Sequence, residues 1–311
     1  MFKDKKKKFQ IDIKHIAHGT QVVTLSDKIF ADVKYKSGRT GVVIESSISN
    51  NSYIVRFSDD IEIEYTREEL VIRKIEIENF IQNFAPNSKE LEKYIIYECM
   101  VGSRAFGLSD ESSDDDIRGI YLSPVSLVMS LWGAPEQIED RENDRIYWEI
   151  EKYLRLALKA NPNVLETLWT PMIIKQTELA KELINIREVF LSKHIFKTFG
   201  GYALSQFTKM KNEYERTGKY RVKHALHLIR LLISGALALK EGYIMVDVSE
   251  YKNDLMSIKT GKLNFDEIQE WRKELQNKFN CAYENTILPD LPDVTKANEF
   301  LLKARKCSFD L

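Results

Sequence analysis

The first quarter of the chain alternates apolar and polar residues in short runs that are separated by polar turns. The alternation occupies residues 11–73, and its turns come about every eight to twelve residues, a spacing typical of small all-β folds. A period of two predicts strands that are buried on one face. We therefore expect a small barrel or meander of short strands. The predicted strands cover residues 30–35, 40–45, 53–57 and 61–65.

Three strings inside this segment resemble SH3-like barrels at the level of pattern. They are Tyr-x-x-Gly-x-x-Gly-x-Val from Tyr35, Tyr-x-Val-x-Phe from Tyr53, and a closing Glu-Leu-Val. Such barrels commonly bind RNA, DNA or proteins, but the sequence shows neither a base-stacking cluster nor a basic stripe here. Because fold alone does not give function, we expect residues 1–74 to form an SH3-like β module for interaction or packing.

The pattern becomes helical in the last part of the chain. From residue 177 onward, apolar residues recur with a helical period, and Gly218 and Gly242 are placed to end two of the helices. Residues 75–176 mix both patterns, so we expect an α+β protein with a mixed-sheet core at 75–176 and a helical domain at 177–311. The predicted helices cover residues 75–84, 151–159, 178–190, 193–214, 220–241, 264–278 and 294–306, and the predicted core strands cover 95–101, 117–122 and 144–150.

Composition narrows the class of protein and its location. The chain has 311 residues, 43% hydrophobic and 30% charged, as in ordinary soluble proteins. Its formal net charge of -1 creates no global field, so binding to nucleic acid would need a local patch. The three cysteines are scattered, which indicates reduced thiols. Since the sequence shows neither a signal peptide nor an apolar run of about 18 residues, we expect a cytoplasmic protein without membrane contact.

The candidate phosphate-binding and metal-binding residues lie between the first two predicted core strands. Gly102-Ser103 follows an apolar strand, and exposed backbone N–H groups beside a hydroxyl suit phosphate oxygens. Asp114 and Asp116 come ten residues later, just before the next strand. Alternate residues of an extended segment share a face, so these two carboxylates would point together, and a divalent cation would relieve their repulsion.

The acidic segment has two other interpretations. The first is a solvated surface loop without function, which is the usual fate of acid runs. The second is a calcium loop of the EF-hand type that starts at Asp114. Gly119 falls at position six of that loop, but Val125 stands at position twelve, where a bidentate Glu is needed. The EF-hand interpretation is therefore excluded.

The two halves of this pattern together resemble the DNA polymerase β-like nucleotidyltransferase superfamily. Gly-Ser-Arg-Ala-Phe-Gly-Leu and Ser-Asp-Asp-Asp-Ile-Arg-Gly are similar to its bacterial and phage branch, the RNA repair pathway polymerase β family. The resemblance covers the chain from about Leu91 and leaves the β module unexplained. This chain departs from the branch at Asp115, where an aromatic residue is usual.

The resemblance implies a set of site residues. Asp114 and Asp116 would hold two Mg²⁺ ions, with Mn²⁺ as an alternative, beside a bound nucleoside triphosphate. Gly102, Ser103 and Arg104 would contact its phosphates. The helical domain would close over the cleft.

A third carboxylate is expected from a neighbouring strand. The resemblance puts Asp144 in this position, and Glu149 is the alternative because it is acidic and lies in the same predicted strand. Reasoning from the residues alone does not choose between them. Asn161 and Glu166 would border the nucleotide by resemblance, or they would cap and start a helix.

One helix of the last part carries a basic face. Lys223, His227 and Arg230 fall at i, i+4 and i+7, an arrangement suited to phosphates. The resemblance includes a similar string, so we expect this face to hold the triphosphate or the acceptor. The alternative is a solvent-facing stripe with a core histidine at His224. A zinc site at His224 and His227 is not expected, because no nearby Cys or third His completes it.

The predicted function is metal-dependent transfer of a nucleoside monophosphate from a nucleoside triphosphate to an acceptor hydroxyl, with release of pyrophosphate. The acceptor would be an RNA 3′ end or a protein side chain. The alternative is a catalytically silent sensor of nucleotide or RNA on the same fold. In a third hypothesis, the β module recruits a partner that the core then modifies.

Overall fold

A computed structural model describes residues 15–47, 50–74, 86–109, 113–140 and 142–309. The chain forms two compact units, residues 1–85 and residues 86–311. The predicted boundaries near residues 74 and 176 stay predictions.

The described part of the first unit is built from short strands. They are β1 (Gln21–Thr24), β2 (Lys28–Phe30), β3 (Val33–Tyr35), β4 (Thr40–Ser47), β5 (Ser52–Phe57), β6 (Glu62–Thr66) and β7 (Leu70–Ile72), with a 3-10 turn at Arg67–Glu69. Five of them form an antiparallel sheet in the order β6-β5-β4-β1-β7. Its inner face buries Tyr53, Val55 and Tyr65. Three predicted strands are thus confirmed as β4, β5 and β6, whereas the SH3-like barrel stays a prediction.

The single strand predicted at residues 30–35 is wrong. The chain turns in its middle, and β2 and β3 pair as an antiparallel hairpin. The turn residues Ala31 and Asp32 have φ angles of 49° and 62°, which is the left-handed pair that a tight hairpin turn requires. Ala-Asp is not a typical sequence signal for this turn, so the apolar pattern continued across it.

The second unit contains a mixed sheet, as predicted. Its strands are β8 (Ile95–Val101), β9 (Asp116–Tyr121), β10 (Gln137–Asp140), β11 (Arg145–Glu149) and β12 (Ile173–Gln176). The order is β10-β11-β9-β8-β12, in which β9 and β11 run parallel and the other neighbours run antiparallel. The three predicted core strands are confirmed as β8, β9 and β11. The two edge strands β10 and β12 were not predicted.

Helices cover the remainder of the second unit. They are α1 (Ser88–Leu91), α2 (Gly102–Ala105), α3 (Val125–Val128), α4 (Ile150–Leu158), α5 (Pro162–Trp169), α6 (Glu178–Asn185), α7 (His194–Thr217), α8 (Val222–Glu241), α9 (Lys252–Lys259), α10 (Phe265–Glu284) and α11 (Val294–Cys307), with 3-10 turns at Glu92–Tyr94, Arg187–Phe190 and Ser249–Tyr251. The predicted helices from residue 151 onward are confirmed as α4, α6, α7, α8, α10 and α11. Gly218 and Gly242 end α7 and α8 in the left-handed conformation. The helix predicted at 75–84 lies outside the described residues.

One hydrophobic core joins the sheet to the helices. It extends from Ile96 on β8 to Ala304 on α11. Its central element is α8, which is long and apolar enough to span a membrane by length and composition, yet most of it is buried inside the protein. Burial of its apolar side chains against α7 and α10 accounts for that composition. The predicted helical domain therefore shares its core with the sheet.

Candidate active site

The turn after β8 brings a glycine against a carboxylate. Val101 pairs with Asp116 in the β8/β9 ladder, so Gly102 lies directly beside Asp116. Gly102 has a φ of 71°, which favours glycine, and a Cβ atom here would lie 2.1 Å from Asp116 Oδ2. Both conformation and space therefore require glycine. The chain then forms the single turn α2, which contains the half-buried Ser103.

The parallel pairing of β9 with β11 supplies a second carboxylate. Ile117 pairs with Arg145, and the Ile117 N–H donates to the Asp144 carbonyl over 3.2 Å. Asp144, the residue before β11, therefore lies next to Asp116, the first residue of β9. The carboxyl groups of Asp116 and Asp144 share a hydrogen bond. The φ of Asp144 is 45°, a left-handed value that Asp tolerates better than most residues.

The pKa values of the two acids move in opposite directions. Burial, the hydrogen bond with Asp144 and its negative charge raise the pKa of Asp116 to about 6. The same hydrogen bond, aided by the positive charge of Arg118, lowers the pKa of Asp144. Two carboxylates in contact cannot both ionise cheaply. The last proton of the pair therefore resides on Asp116 and is donated to Asp144.

Arg118 holds Asp144 in place. Its Nη2 lies 3.1 Å from Asp144 Oδ1, and its Nη1 donates to the Asp144 carbonyl over 2.7 Å. Arg118 follows Asp116 by two residues on β9 and therefore shares its face. The next residue, Gly119, leaves room for the Tyr147 ring, whose hydroxyl donates to Glu98 over 2.6 Å. Ile117, Arg118 and Gly119 thus fix the position of the acid pair and connect β9 to its neighbours β8 and β11.

The other two acids of the segment are exposed. Asp115 pairs with Arg104, its Oδ1 lying 2.5 Å from Nε, and Arg104 Nη2 donates to the Ser113 carbonyl over 3.0 Å. Arg104 thus ties the acidic segment to α2. Asp114 lies before β9, and among the described residues no group of three acid, His or Cys side chains is arranged to hold a metal ion. The structure brings Asp116 and Asp144 together but does not add Asp114 to them.

Lys223 faces the acid pair from the helical side. It lies in the first turn of α8, is exposed, and acts electrostatically on both Asp116 and Asp144. Among the residues that the structure describes, no carboxylate lies within 4.0 Å of its amino group. The structure thus combines a cation of the helical part with two acids of the sheet.

Arg230, predicted on the same face, is buried instead. Only 3% of it is exposed, and its guanidinium bonds the buried Glu166 of α5 and stacks 3.5 Å from the centroid of the Phe106 ring. Its Nη2 also lies 3.3 Å from His227 Nδ1. Arg230 therefore supports the turn after α2 from behind. Its predicted contact with phosphate stays a prediction.

His227 is neutral in the folded protein. Burial, together with the positive charges of Arg230 and Lys223, lowers the pKa of His227 to about 3. Because arginine can only donate, His227 Nδ1 accepts and its proton resides on Nε2. His227 thus offers an N–H donor without a charge.

Residues after α8 form hydrogen bonds with the later part of the turn that follows β8. The Val248 N–H donates to the Phe106 carbonyl over 3.2 Å, and Lys259 Nζ donates to the Leu108 carbonyl over 2.9 Å. Gly107, with a φ of 74°, leaves no room for a Cβ atom beside Ser249. Sequence reasoning missed these contacts because their partners are distant in the chain.

The alternative acid Glu149 lies at the other end of β11. It is 4% exposed, accepts two hydrogen bonds from Arg305 at 2.6 and 2.9 Å, and caps α4. Asn161 caps α5 through the backbone N–H of Asn163, as its structural interpretation predicts. The structure therefore brings Asp144, and not Glu149, to Asp116.

Comparison with known proteins shows the family to which the chain belongs. The model of the RNA repair pathway DNA polymerase beta family matches residues 77–303, well over half of the chain. The chain belongs to this family. The resemblance seen in the sequence is thereby confirmed, and membership in the RNA repair pathway DNA polymerase beta family suggests a nucleotidyltransferase type of function.

Two relatives are similar to the chain. The uncharacterized protein MJ0002 of Methanocaldococcus jannaschii is 23% identical over 236 residues, which cover 69% of this chain and 95% of the relative. The uncharacterized protein YcgL of Bacillus subtilis is 35% identical over 82 residues, 25% of this chain. The chain spans 32% of the length of YcgL.

Among the site residues of this family member, sequence reasoning missed Arg118. A signal was present, because an arginine two positions after Asp116 on a strand must share its face. Its target could not be predicted, since Asp144 meets it only through the parallel pairing of β9 and β11.

Proposed function

We propose that the protein moves a nucleoside monophosphate from a nucleoside triphosphate to an acceptor hydroxyl and releases pyrophosphate. The observation that carries the proposal is the contact of Asp116 with Asp144 directly beside Gly102, with Lys223 opposite. Family membership supports the same reaction class.

The acid pair fits a divalent cation. Its donors are hard carboxylate oxygens. Burial, together with the hydrogen bond to Asp144 and the negative charge of Asp144, raises the pKa of Asp116, and a bound cation would offset this cost of ionisation. Asp116 and Asp144 would hold Mg²⁺ or Mn²⁺, with Asp114 as a further predicted ligand. When bound, the cation would neutralise phosphate charge and make the acceptor hydroxyl a better nucleophile.

The residues of this chain would orient the reactants. Arg118 keeps Asp144 in place beside Asp116, and Gly102 lets the backbone approach Asp116 closely and would let it approach the phosphates. Ser103 and the first N–H groups of α2 would donate to the β- and γ-phosphates. Lys223 would stabilise the charge that develops on pyrophosphate.

The other residues around the site have supporting roles. Arg230 and Glu166 neutralise each other beneath Phe106, which fixes the turn without adding net charge. His227 Nε2 would donate to a phosphate oxygen. The acceptor would be an RNA 3′ end or a protein side chain.

Label transfer tests the proposal directly. The protein would be incubated with α-labelled ATP, GTP, CTP or UTP, Mg²⁺ and total RNA, or with a protein extract in place of RNA. We expect labelled RNA or protein and equimolar pyrophosphate. Asp116→Asn and Asp144→Asn should each lower the rate by roughly a thousandfold, an effect typical of lost electrostatic groups, while the exposed Asp254→Asn should not. Nucleotide binding without transfer would contradict the proposal and favour the silent sensor.

A further inference from the structure

An exposed basic surface begins at Lys223, and its other cations have no role in the proposed site so far. It is formed by the end of α7, the turn after it and the first residues of α8. Residues 209–223 contain six cationic and two acidic side chains, a net charge of +4, although the whole chain carries -1. The positive charge of this protein is therefore unevenly distributed.

The two acids of this segment are already engaged. Glu213 Oε1 lies 3.1 Å from Arg221 Nε, and Glu215 Oε1 lies 3.5 Å from Lys211 Nζ. The other four cations have no carboxylate within 4.0 Å among the described residues, and each of them is exposed to solvent. We call these four residues the basic turn: Lys209, Arg216, Lys219 and Lys223.

The basic turn is continuous with the acid pair. Lys223 acts on Asp116 and Asp144, and Lys209 and Lys223 both help to lower the pKa of His227. The side chain of Gln206 on α7 bonds His224 on α8, with 2.7 Å between Oε1 and Nδ1, and this bond joins the two helices between these lysines. Lys223 therefore connects the basic turn electrostatically to the acid pair.

We propose that the basic turn binds the phosphates of a single-stranded nucleic acid whose 3′ end is the acceptor. This inference rests on the proposed function, because it names the acceptor of that reaction. The helix from Lys209 to Thr217 extends roughly 12 Å at 1.5 Å per residue, so the cations of the basic turn are spread along the surface and not gathered at one point. Cations without acidic partners, placed at intervals beside a phosphate-handling site, complement such a strand.

Two cations of the basic turn lie outside the proposed catalytic machinery and can be removed. The test compares Arg216→Gln/Lys219→Gln with the charge-matched control Lys273→Gln/Lys296→Gln in the full chain. Lys273 and Lys296 are paired with acids on their own helices. Binding of a 5′-labelled single-stranded 12-nucleotide RNA would be measured by fluorescence anisotropy, without nucleoside triphosphate, over a series of salt concentrations.

We expect the basic-turn variant to bind at least 10-fold more weakly than the control. The slope of log affinity against log salt should fall by about 1.4, since each phosphate contact on a single strand contributes about 0.7. Equal affinity of the two variants would overturn the inference, and so would no binding by the unaltered protein in 50 mM salt. Displacement of the RNA by an equal charge of polyglutamate would also overturn it and indicate an acidic protein partner.

The outcome separates this inference from the proposed function. Normal label transfer to RNA with equal binding by both variants would reject the basic turn alone. Weakened binding by the basic-turn variant, with no transfer to any acceptor, would reject the nucleotidyltransferase function and retain a nucleic-acid surface.

Discussion

The carboxyl groups of Asp116 and Asp144 have the same chemistry, but their surroundings give them different protonation. Asp116 is more buried and lies beside Gly102, whereas Asp144 is held by Arg118. A pair of this kind costs stability, and in the proposed function the same pair would bind a cation. The cost in stability and the proposed role in transfer lead to a prediction that separates stability from activity.

Asp116→Asn should stabilise the fold while it abolishes transfer. The amide can donate to Asp144 as the protonated acid does, so the repulsion at neutral pH disappears. We expect the Tm at pH 8 to rise by a few degrees, which corresponds to about 1 kcal/mol because the carboxyl is partly exposed to screening solvent. The measurement is thermal unfolding by circular dichroism without divalent cations.

The pH dependence of this effect has a definite sign. The folded-state pKa of Asp116, about 6, lies above its ordinary value of 3.8, so the folded state binds this proton more tightly. The contribution of Asp116 to stability therefore improves as pH falls from about 6 to about 4. The advantage of Asp116→Asn should be largest at pH 8 and shrink at pH 4.5. An advantage that grows toward acid would contradict the assignment of the proton to Asp116.

At the scale of elements, the turn between β8 and β9 derives its shape from contacts on three sides. Arg104 ties it to the acidic segment, Arg230 supports it through Phe106, and the segment after α8 bonds its end. The described residues of this turn, 102–109 and 113–115, are therefore held in part by helices far away in sequence. Two predictions test the parts of this arrangement.

Gly102→Ala should damage activity more than stability. The new Cβ atom would overlap Asp116 Oδ2, which is the movable end of a side chain, so the carboxylate would swing away from Asp144. Gly133→Ala is the matched control, since Gly133 also has a positive φ, 64°, and has no neighbouring atom within 4 Å. Both variants should lose about 1 kcal/mol from the left-handed backbone, but only Gly102→Ala should lower pyrophosphate release, by 10-fold or more. Equal activity of the two would contradict the close approach.

Arg230 and Glu166 should behave as a buried pair. Arg230→Met alone leaves the Glu166 carboxylate buried without a partner, which typically costs about 3–5 kcal/mol. The double variant Arg230→Met/Glu166→Leu should recover most of this loss. Urea unfolding of the single and double variants measures the coupling, and an additive result would show that the two side chains act independently.

At the scale of the whole molecule, the two units differ in how their cores are built. The first unit has its own cluster around Tyr53 and Tyr65, while the second has a core that includes both the sheet and the C-terminal helices. A chain cut near residue 176 would divide that second core. A chain without the first unit would not.

Removal of residues 1–74 should therefore leave the second unit folded. We expect cooperative thermal unfolding and pyrophosphate release within about twofold of the full chain, because a domain with its own core folds alone. A chain that ends at residue 176 should instead be insoluble or unfolded. Circular dichroism and gel filtration provide the measurements. Loss of folding in the chain lacking residues 1–74 would show that the β module completes the core.

The local pattern of apolar and polar residues determined most of the secondary structure of this protein. The periods of two and 3.6 gave β4, β5, β6, β8, β9, β11 and most helices, because backbone hydrogen bonding and one-sided burial act within a few residues. The same pattern missed the turn at Ala31-Asp32, and the edge strand β12 has an irregular pairing with β8. Gly102-Ser103, Asp114 and Asp116 were identified by their spacing together with the resemblance to the polymerase β-like superfamily, and Asp144 was identified by that resemblance.

Only the tertiary structure decided which side chains meet. Parallel pairing of β9 with β11 puts Asp144 beside Asp116, whereas Glu149, five residues further, bonds Arg305. Burial turns Arg230 inward to Glu166 and leaves Lys223 facing the acids. Such contacts join residues tens to more than a hundred positions apart. Their geometry depends on strand order and helix packing, which no local pattern contains.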